Sequence, residues 1–253
     1  MKCYTFILVL FGCGFFLSAG PALKTAERDG DVELISLSPG AWMHSSTLPN
    51  MPKLKANGVV AVSENEAIVI DFPSSRKDTE ALFRWIKSKG WKIKYAVPLH
   101  WHHDSSGGIH VAFEQGVDVV MLEKTVPLLK KDLLEKGKAA LPNKGYETFK
   151  SYKRLAYGDR ELKLGHHGGA HTVDSVVAWI VNEKVLVGGC LIKSANWNSL
   201  GYLGGADLDG YMATLQAVKA SYPEAQIVTT GHGSPGGLEL LDHNMKLRRE
   251  LKE

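Results

Sequence analysis

Residues His100-Trp101-His102-His103-Asp104 follow directly on an apolar run, Tyr95-Ala96-Val97-Pro98-Leu99, and lead into Ser105-Ser106-Gly107-Gly108. An apolar run stopped by a Ser/Gly turn reads as a strand ending at the surface of a sheet. In an extended chain, side chains two apart share a face, so the spacing predicts that His100, His102 and Asp104 converge on one point. Two imidazole nitrogens and a carboxylate oxygen that converge are a metal-ligand set. Ligands at a strand end face solvent and can meet a substrate.

Composition matters here mainly for what it excludes. With 253 residues, 44% hydrophobic and 23% charged, the chain suits one large globular domain or two fused halves. A formal charge of +3, spread along the sequence, is too small to imply a nucleic-acid partner. Lys2, the apolar stretch from Tyr4 to Leu17 and small residues up to Ala22 read as a secretory signal over residues 1–22. That stretch is short for a membrane span, so the mature domain, 23–253, is expected to have no stable insertion in a membrane. An alternative acylation site at Cys13 would place the bulky Phe11 two residues before it. Removing the signal takes Cys3 and Cys13 with it and leaves Cys190 as the single cysteine of an exported protein. A lone thiol in an oxidising compartment is tolerated when it is buried as a small hydrophobe or held by a metal.

The order of elements is α/β. Residues 31–37 alternate as a half-buried strand, and 58–72 read as two strands around a turn at 63–66. Between them, 44–57 is rich in Ser, Pro, Asn and Lys with Leu48, Met51 and Leu54 interspersed, a long hairpin loop with the composition expected of a flap over a site. A helix at 77–89 and a strand at 91–99 deliver the ligand cluster; a strand at 117–122 and a helix at 126–137 follow. Strands at 161–164, 175–181, 185–189 and 226–230, with helices at 207–221 and 238–253, make up the second half in a similar rhythm.

Further ligand types recur at strand-end turns: Gly165-His166-His167-Gly168-Gly169-Ala170-His171-Thr172, Gly188-Gly189-Cys190 and Gly231-His232-Gly233. Glycine beside each allows close backbone approach. His44, His110 and His243 lack this setting and read as surface or hydrogen-bonded core residues. His166, His167 and His171 all compete for a further imidazole place.

Taken in order, the blocks at 100–108, Gly168-Gly169-Ala170-His171-Thr172-Val173-Asp174, Gly188-Gly189-Cys190-Leu191-Ile192-Lys193 and 231–233 resemble the metallo-β-lactamase superfamily, and in detail its di-zinc subclass B1. Relatives with His after the Asp, or with Asn at the first His, differ from this chain, which has Ser105 and His100. The resemblance implies a four-layer αβ/βα sandwich of two mixed sheets flanked by helices, with one zinc held by His100, His102 and His171 and a second by Asp104, Cys190 and His232. It selects His171 over His166 and His167. It implies a periplasmic, monomeric hydrolase that opens the β-lactam amide of penicillins, cephalosporins and carbapenems and so confers antibiotic resistance.

Two such zincs ~3.5–4 Å apart can lower the pKa of a shared water to near ~7 and clamp the reacting carbonyl; Asp104 would orient that water. Lys193 would pair with the substrate carboxylate, which requires the strand before it to end, because strict alternation would turn it away from Cys190. Where the family has Gly-Asn-Leu-Gly, this chain has Gly201-Tyr202-Leu203-Gly204, so Tyr202 stands where the family's Asn meets the reacting carbonyl. The rival readings are a hydrolase of another ester, lactone or thioester on the same fold, and a zinc-binding protein without turnover.

Overall fold

The alternation of the central strands decides the architecture, since each sends one set of side chains to each of two different apolar layers. In the computed structural model, which describes residues 24–251, β4 (Met51–Ser63) directs Val60 and Val62 to one layer and Val59 and Ala61 to another. β5 (Glu66–Ile70) does the same with Ala67 and Val69 against Ile68 and Ile70, and β7 (Asp118–Leu122) with Val119 and Met121 against Val120 and Leu122. Strands buried on both faces need cover on both.

One layer is filled by helices α1 (Arg76–Ser88), α3 (Ile109–Glu114) and α4 (Thr125–Glu135). The other is the inner face of a second sheet, carrying Leu155, Tyr157, Leu162, Leu164, Ala178, Ile180, Val185 and Val187. That sheet repeats the pattern: Val177 and Trp179 of β11 (Val177–Ile180) and Leu186 of β12 (Val185–Val187) turn outward onto α5 (Tyr211–Ser221) and α6 (Glu239–Glu250). The result is a helix, sheet, sheet, helix sandwich, as expected.

The first sheet has eight strands in sequence order, from β1 (Lys24–Asp29), β2 (Val32–Ser38) and β3 (Ala41–Leu48) through β4, β5, β6 (Lys92–Val97) and β7 to β8 (Tyr146–Phe149). The second has five, in the order β13 (Ile227–Thr229), β12, β11, β10 (Arg160–Gly165), β9 (Tyr152–Tyr157). Among the described residues no helix is long and apolar enough to cross a membrane. The signal expected at 1–22 lies outside the described residues.

Two expectations are corrected. Residues 44–57 are not a loop: β3 and β4 run on as a paired ladder to Leu48 and Met51, joined by Pro49-Asn50 alone, with a register irregularity at Thr47/Leu48. Cross-strand pairing overrides the local turn propensity of Ser, Pro and Asn here. The cluster at 100–104 also does not stay extended to its end, because α2 (His103–Ser106) begins inside it.

Candidate metal centre

The six candidate ligands stand on the turns, loops and short helix that follow strands. β6 runs through Pro98-Leu99 to His100, and Leu99 is fixed from both sides: its N–H donates to Asp71 Oδ1 at 2.8 Å and its carbonyl accepts from Val176 N at 2.9 Å. That second bond ties the His171 turn to the His100 strand. Asp71 is buried at a positive φ of 58° and also accepts from Ser105 Oγ, so it braces the ligand strand rather than joining a ligand set. His102 remains extended (φ −63°, ψ 156°) as the residue before α2, and Asp104 lies in that helix's first turn. Convergence therefore comes from an extended step followed by a helical one.

Cys190 sits in a 3-10 turn, Gly189–Leu191, just past β12, and His232 just past β13, the parallel neighbour of β12. Gly231 N donates to Gly189 O at 2.7 Å, locking the two turns together. A Cβ on Gly231 would come within 2.3 Å of Cys190 Sγ, so only glycine lets them pack this way.

Two donor sets result. One ring nitrogen from each of His100, His102 and His171 lies within 4.8 Å of the others, with His102 Nδ1 and His171 Nε2 3.2 Å apart. In the second set, Asp104 Oδ2 is 3.1 Å from Cys190 Sγ and 3.0 Å from His232 Nε2, and Sγ is 3.5 Å from that nitrogen. Tetrahedral zinc bonds of about 2.0–2.3 Å imply donor separations of roughly 3.3–3.8 Å, which these sets approach. Asp104 Oδ1 lies 3.5 Å from His100 Nε2, so this carboxylate joins the sets.

The residues present fit a pair of cations. His100 Nε2 is buried without a hydrogen-bond partner, an orphan that a metal would satisfy. Two of the other ring nitrogens are oriented by backbone carbonyls: His102 Nε2 donates to Gly204 O at 3.0 Å, and His232 Nδ1 donates to Lys55 O at 2.8 Å.

Burial, reinforced by His100, pushes His102 down to about 4, and burial with Lys193 nearby holds His171 well below the usual imidazole range. Both are therefore neutral ligands at pH 7. His100 moves the other way: burial opposes it, but the Asp104 carboxylate 3.5 Å from its Nε2 raises it. Asp104 is held well below the usual carboxylate range by His100 and His232 against the effect of burial. Burial and the Asp104 charge push the Cys190 thiol up, so a thiolate there needs a cation.

Lys193 lies beyond the 3-10 turn, the strand having ended at Val187 as its orientation toward Cys190 required. It is only 3% exposed; Nζ donates to Cys190 O at 2.8 Å, and Asn244 grips its backbone on both sides. Burial lowers its pKa, opposed by Cys190 and Asp104. Tyr202 is 70% exposed, its ring 5.5 Å from that of His102, at the rim of the three-His set.

The other histidines stand apart. His103 Nδ1 is 3.4 Å from Lys138 Nζ, His166 Nδ1 donates to Ser175 O and His167 Nε2 meets Tyr222 Oη. His44 is buried against Asp71 O, and His243 Nε2 donates to Trp197 O.

Residues missed from sequence also line the centre. Trp197 stacks on the His232 ring at 5.9 Å with Lys193 Nζ 5.8 Å from its indole, and Asn57 binds the turns around His232. Trp197 sits four residues past Lys193, the one cue in its favour; Asn57 has no comparable signal.

Comparison with known proteins agrees with this geometry. The family model described as the metallo-beta-lactamase superfamily matches residues 52–232. A protein of Bacteroides fragilis named "Metallo-beta-lactamase type 2" is 30% identical over 235 residues, covering 92% of this chain and 91% of its own length. A protein of the same name from Pseudomonas aeruginosa is 29% identical over 243 residues, 95% of this chain and 91% of its own. The solved structure of a metallo-beta-lactamase from Pontibacter korlensis aligns with a TM-score of 0.79 at 32% identity, over 87% of this chain and all 100% of that one.

Proposed function

The chain belongs to the metallo-beta-lactamase superfamily, and we propose that within it the protein hydrolyses the amide bond of β-lactams, namely penicillins, cephalosporins and carbapenems, using two zinc ions. The observation that carries the reading is the division of six ligand residues into two sets of three, one all imidazole and one of carboxylate, thiol and imidazole. Three protein donors per metal leave positions open, as in catalytic rather than structural zinc sites. A thiolate beside Asp and His favours zinc over magnesium or calcium.

Bound there, zinc supplies a nucleophile at neutral pH and polarises the attacked carbonyl. The chain's own groups do the rest. Asp104 presents Oδ2 to the thiol set and Oδ1 toward His100, so an acceptor stands between the two sets to orient the attacking water. Lys193 spends one of three N–H donors on Cys190 O and keeps two for the carboxylate of a bicyclic lactam. Tyr202 stands at the rim, where its hydroxyl can donate to the opening lactam. The six ligands come from a single chain, which supports a monomer as the working unit. Residues 1–22 have the composition of a signal for export to the periplasm, where lactams meet the cell-wall enzymes, so that their hydrolysis confers resistance.

Hydrolysis of a chromogenic cephalosporin by the purified mature chain, with and without a chelator, is the direct test. We expect turnover that chelation abolishes and zinc restores, at two zinc ions per chain. A protein that takes up both metals and leaves every lactam intact, while cleaving a thioester or lactone, would move the assignment to another hydrolase of this fold.

A further inference from the structure

The β3–β4 hairpin reaches out to the exposed Met51 beside Pro49-Asn50, yet its root is sewn to the turn that carries His232. Asn57 N donates to Gly231 O at 2.8 Å, and Asn57 Nδ2 donates to both Thr230 O at 3.1 Å and Gly233 O at 2.7 Å. Its Oδ1 accepts from Ser45 Oγ on the paired strand at 2.7 Å. The buried amide thus clamps both strands of the hairpin to the residues on either side of His232. Two residues further out, Lys55 offers the carbonyl that takes the Nδ1 proton of His232 and leaves Nε2 aimed at Asp104.

The acceptor that sets His232's tautomer and ring angle therefore belongs to the hairpin. If the hairpin lifts at Lys55, His232 Nδ1–H loses its partner in a half-buried place and the ring is no longer held. We infer that Asn57 is a positioning residue that makes the hairpin and the cation at Asp104, Cys190 and His232 one coupled unit. Filling that site orders the hairpin, and loosening the hairpin weakens that site by the same free energy, as reciprocity of coupled equilibria requires. The inference rests on reading the centre as a metal site, as above.

The three-His set is an internal control. His102 takes its orienting bond from Gly204, and among the described residues no hydrogen bond joins 46–56 to His100, His102 or His171.

Cobalt(II) is the probe of choice, because its thiolate absorption reports the Cys190 site alone, with zinc as the second metal. The metal-depleted full-length mature protein is titrated while hydrogen exchange of the 46–56 amides is followed by mass spectrometry. We expect protection of these amides to rise with the thiolate band and not with filling of the three-His set. In Asn57→Ala, chelator competition should show the thiolate site weakened by about 10–100-fold, the range for loss of an outer partner of a metal ligand. The three-His site should hold its affinity. Ser45→Ala, which keeps both Asn57 donors, should give a smaller loss at the same site.

Exchange in the wild-type hairpin that ignores the thiolate band would overturn the coupling, and so would equal weakening of both sites in Asn57→Ala. The wild-type measurement decides even if Asn57→Ala does not fold. A protein that binds neither metal sinks the metal reading and this inference together; one that binds two without hairpin ordering sinks only the coupling.

Discussion

The two ligand sets lie side by side, yet they are built on opposite principles. The three-His set is electrically neutral in two of its members, His102 and His171, and its rings hang from one strand end and one loop locked together through Leu99 and Val176. The Asp104, Cys190 and His232 set assembles a carboxylate, a thiol that burial keeps protonated and an imidazole whose orientation depends on the β3–β4 hairpin. A rigid set with two members already neutral needs only the His100 proton to leave as a cation arrives. The charged, mixed set needs the cation to complete its own ionisation, so it should be the weaker, more conditional and more adjustable of the two.

The hardest blow to this asymmetry is Cys190→Ser, which replaces an ionisable thiol with a hydroxyl that rarely ionises. Zinc affinity at that site and turnover should fall by more than the ~10–100-fold typical of losing an outer partner, while the three-His site and the fold persist. Wild-type kinetics at limiting zinc would reduce Cys190 to a buried hydrophobe.

Next in size is Lys193→Ala. A charge-assisted contact is worth about 1.5–3 kcal/mol, or roughly a tenfold to hundredfold loss in kcat/KM, carried mainly by KM because the contact exists before and during reaction. Unchanged KM across carboxylate-bearing lactams would show that another group positions the substrate.

Acidity separates the sets without mutation. Cys190 is a thiol until metal binds, so occupancy there releases a proton, and its affinity should rise about tenfold per pH unit as pH rises. His102 and His171 are already neutral, so once His100, whose pKa is raised, has lost its proton, the three-His affinity should be flat. Competition titrations across the neutral to mildly alkaline range measure both slopes; equal slopes would erase the proposed difference.

The smallest effect is expected from Tyr202→Phe. An exposed hydroxyl forming one hydrogen bond to the opening lactam contributes about 0.5 kcal/mol, near twofold in kcat. A tenfold fall would promote Tyr202 from the rim to a main stabiliser of the reacting carbonyl.

The asymmetry also separates what could be read locally from what could not. His100, His102 and Asp104 were legible because strand alternation is a short-range rule, and Asp104 reaches its place even though α2 replaces the last extended step. Cys190 and His232 were legible as glycine-flanked residues at strand ends, but only the parallel pairing of β12 with β13 makes them neighbours. The hairpin was read with too long a loop because Ser, Pro and Asn announce a turn, whereas pairing from Ala41↔Ala61 onward holds all but its tip as sheet. β1, β8, β9 and α3 went unread for a related reason: short, mixed segments acquire their state from neighbours rather than from period.

By itself the sequence determined which side chains can bind metal, their order along the chain and the alternation that demands a sandwich, because these depend on residue type and on periods of two or four residues. The tertiary structure alone decided which carbonyls aim those side chains. Gly204 and Lys55 orient one ligand in each set through backbone oxygens that every residue possesses, so no letter in the sequence marks them. It also decided that Lys193 is buried and gripped by Asn244, which needs α6 packed on the second sheet, and that Asn57 joins the hairpin to His232, which needs the two sheets to meet; in both cases the partners lie far apart in the chain.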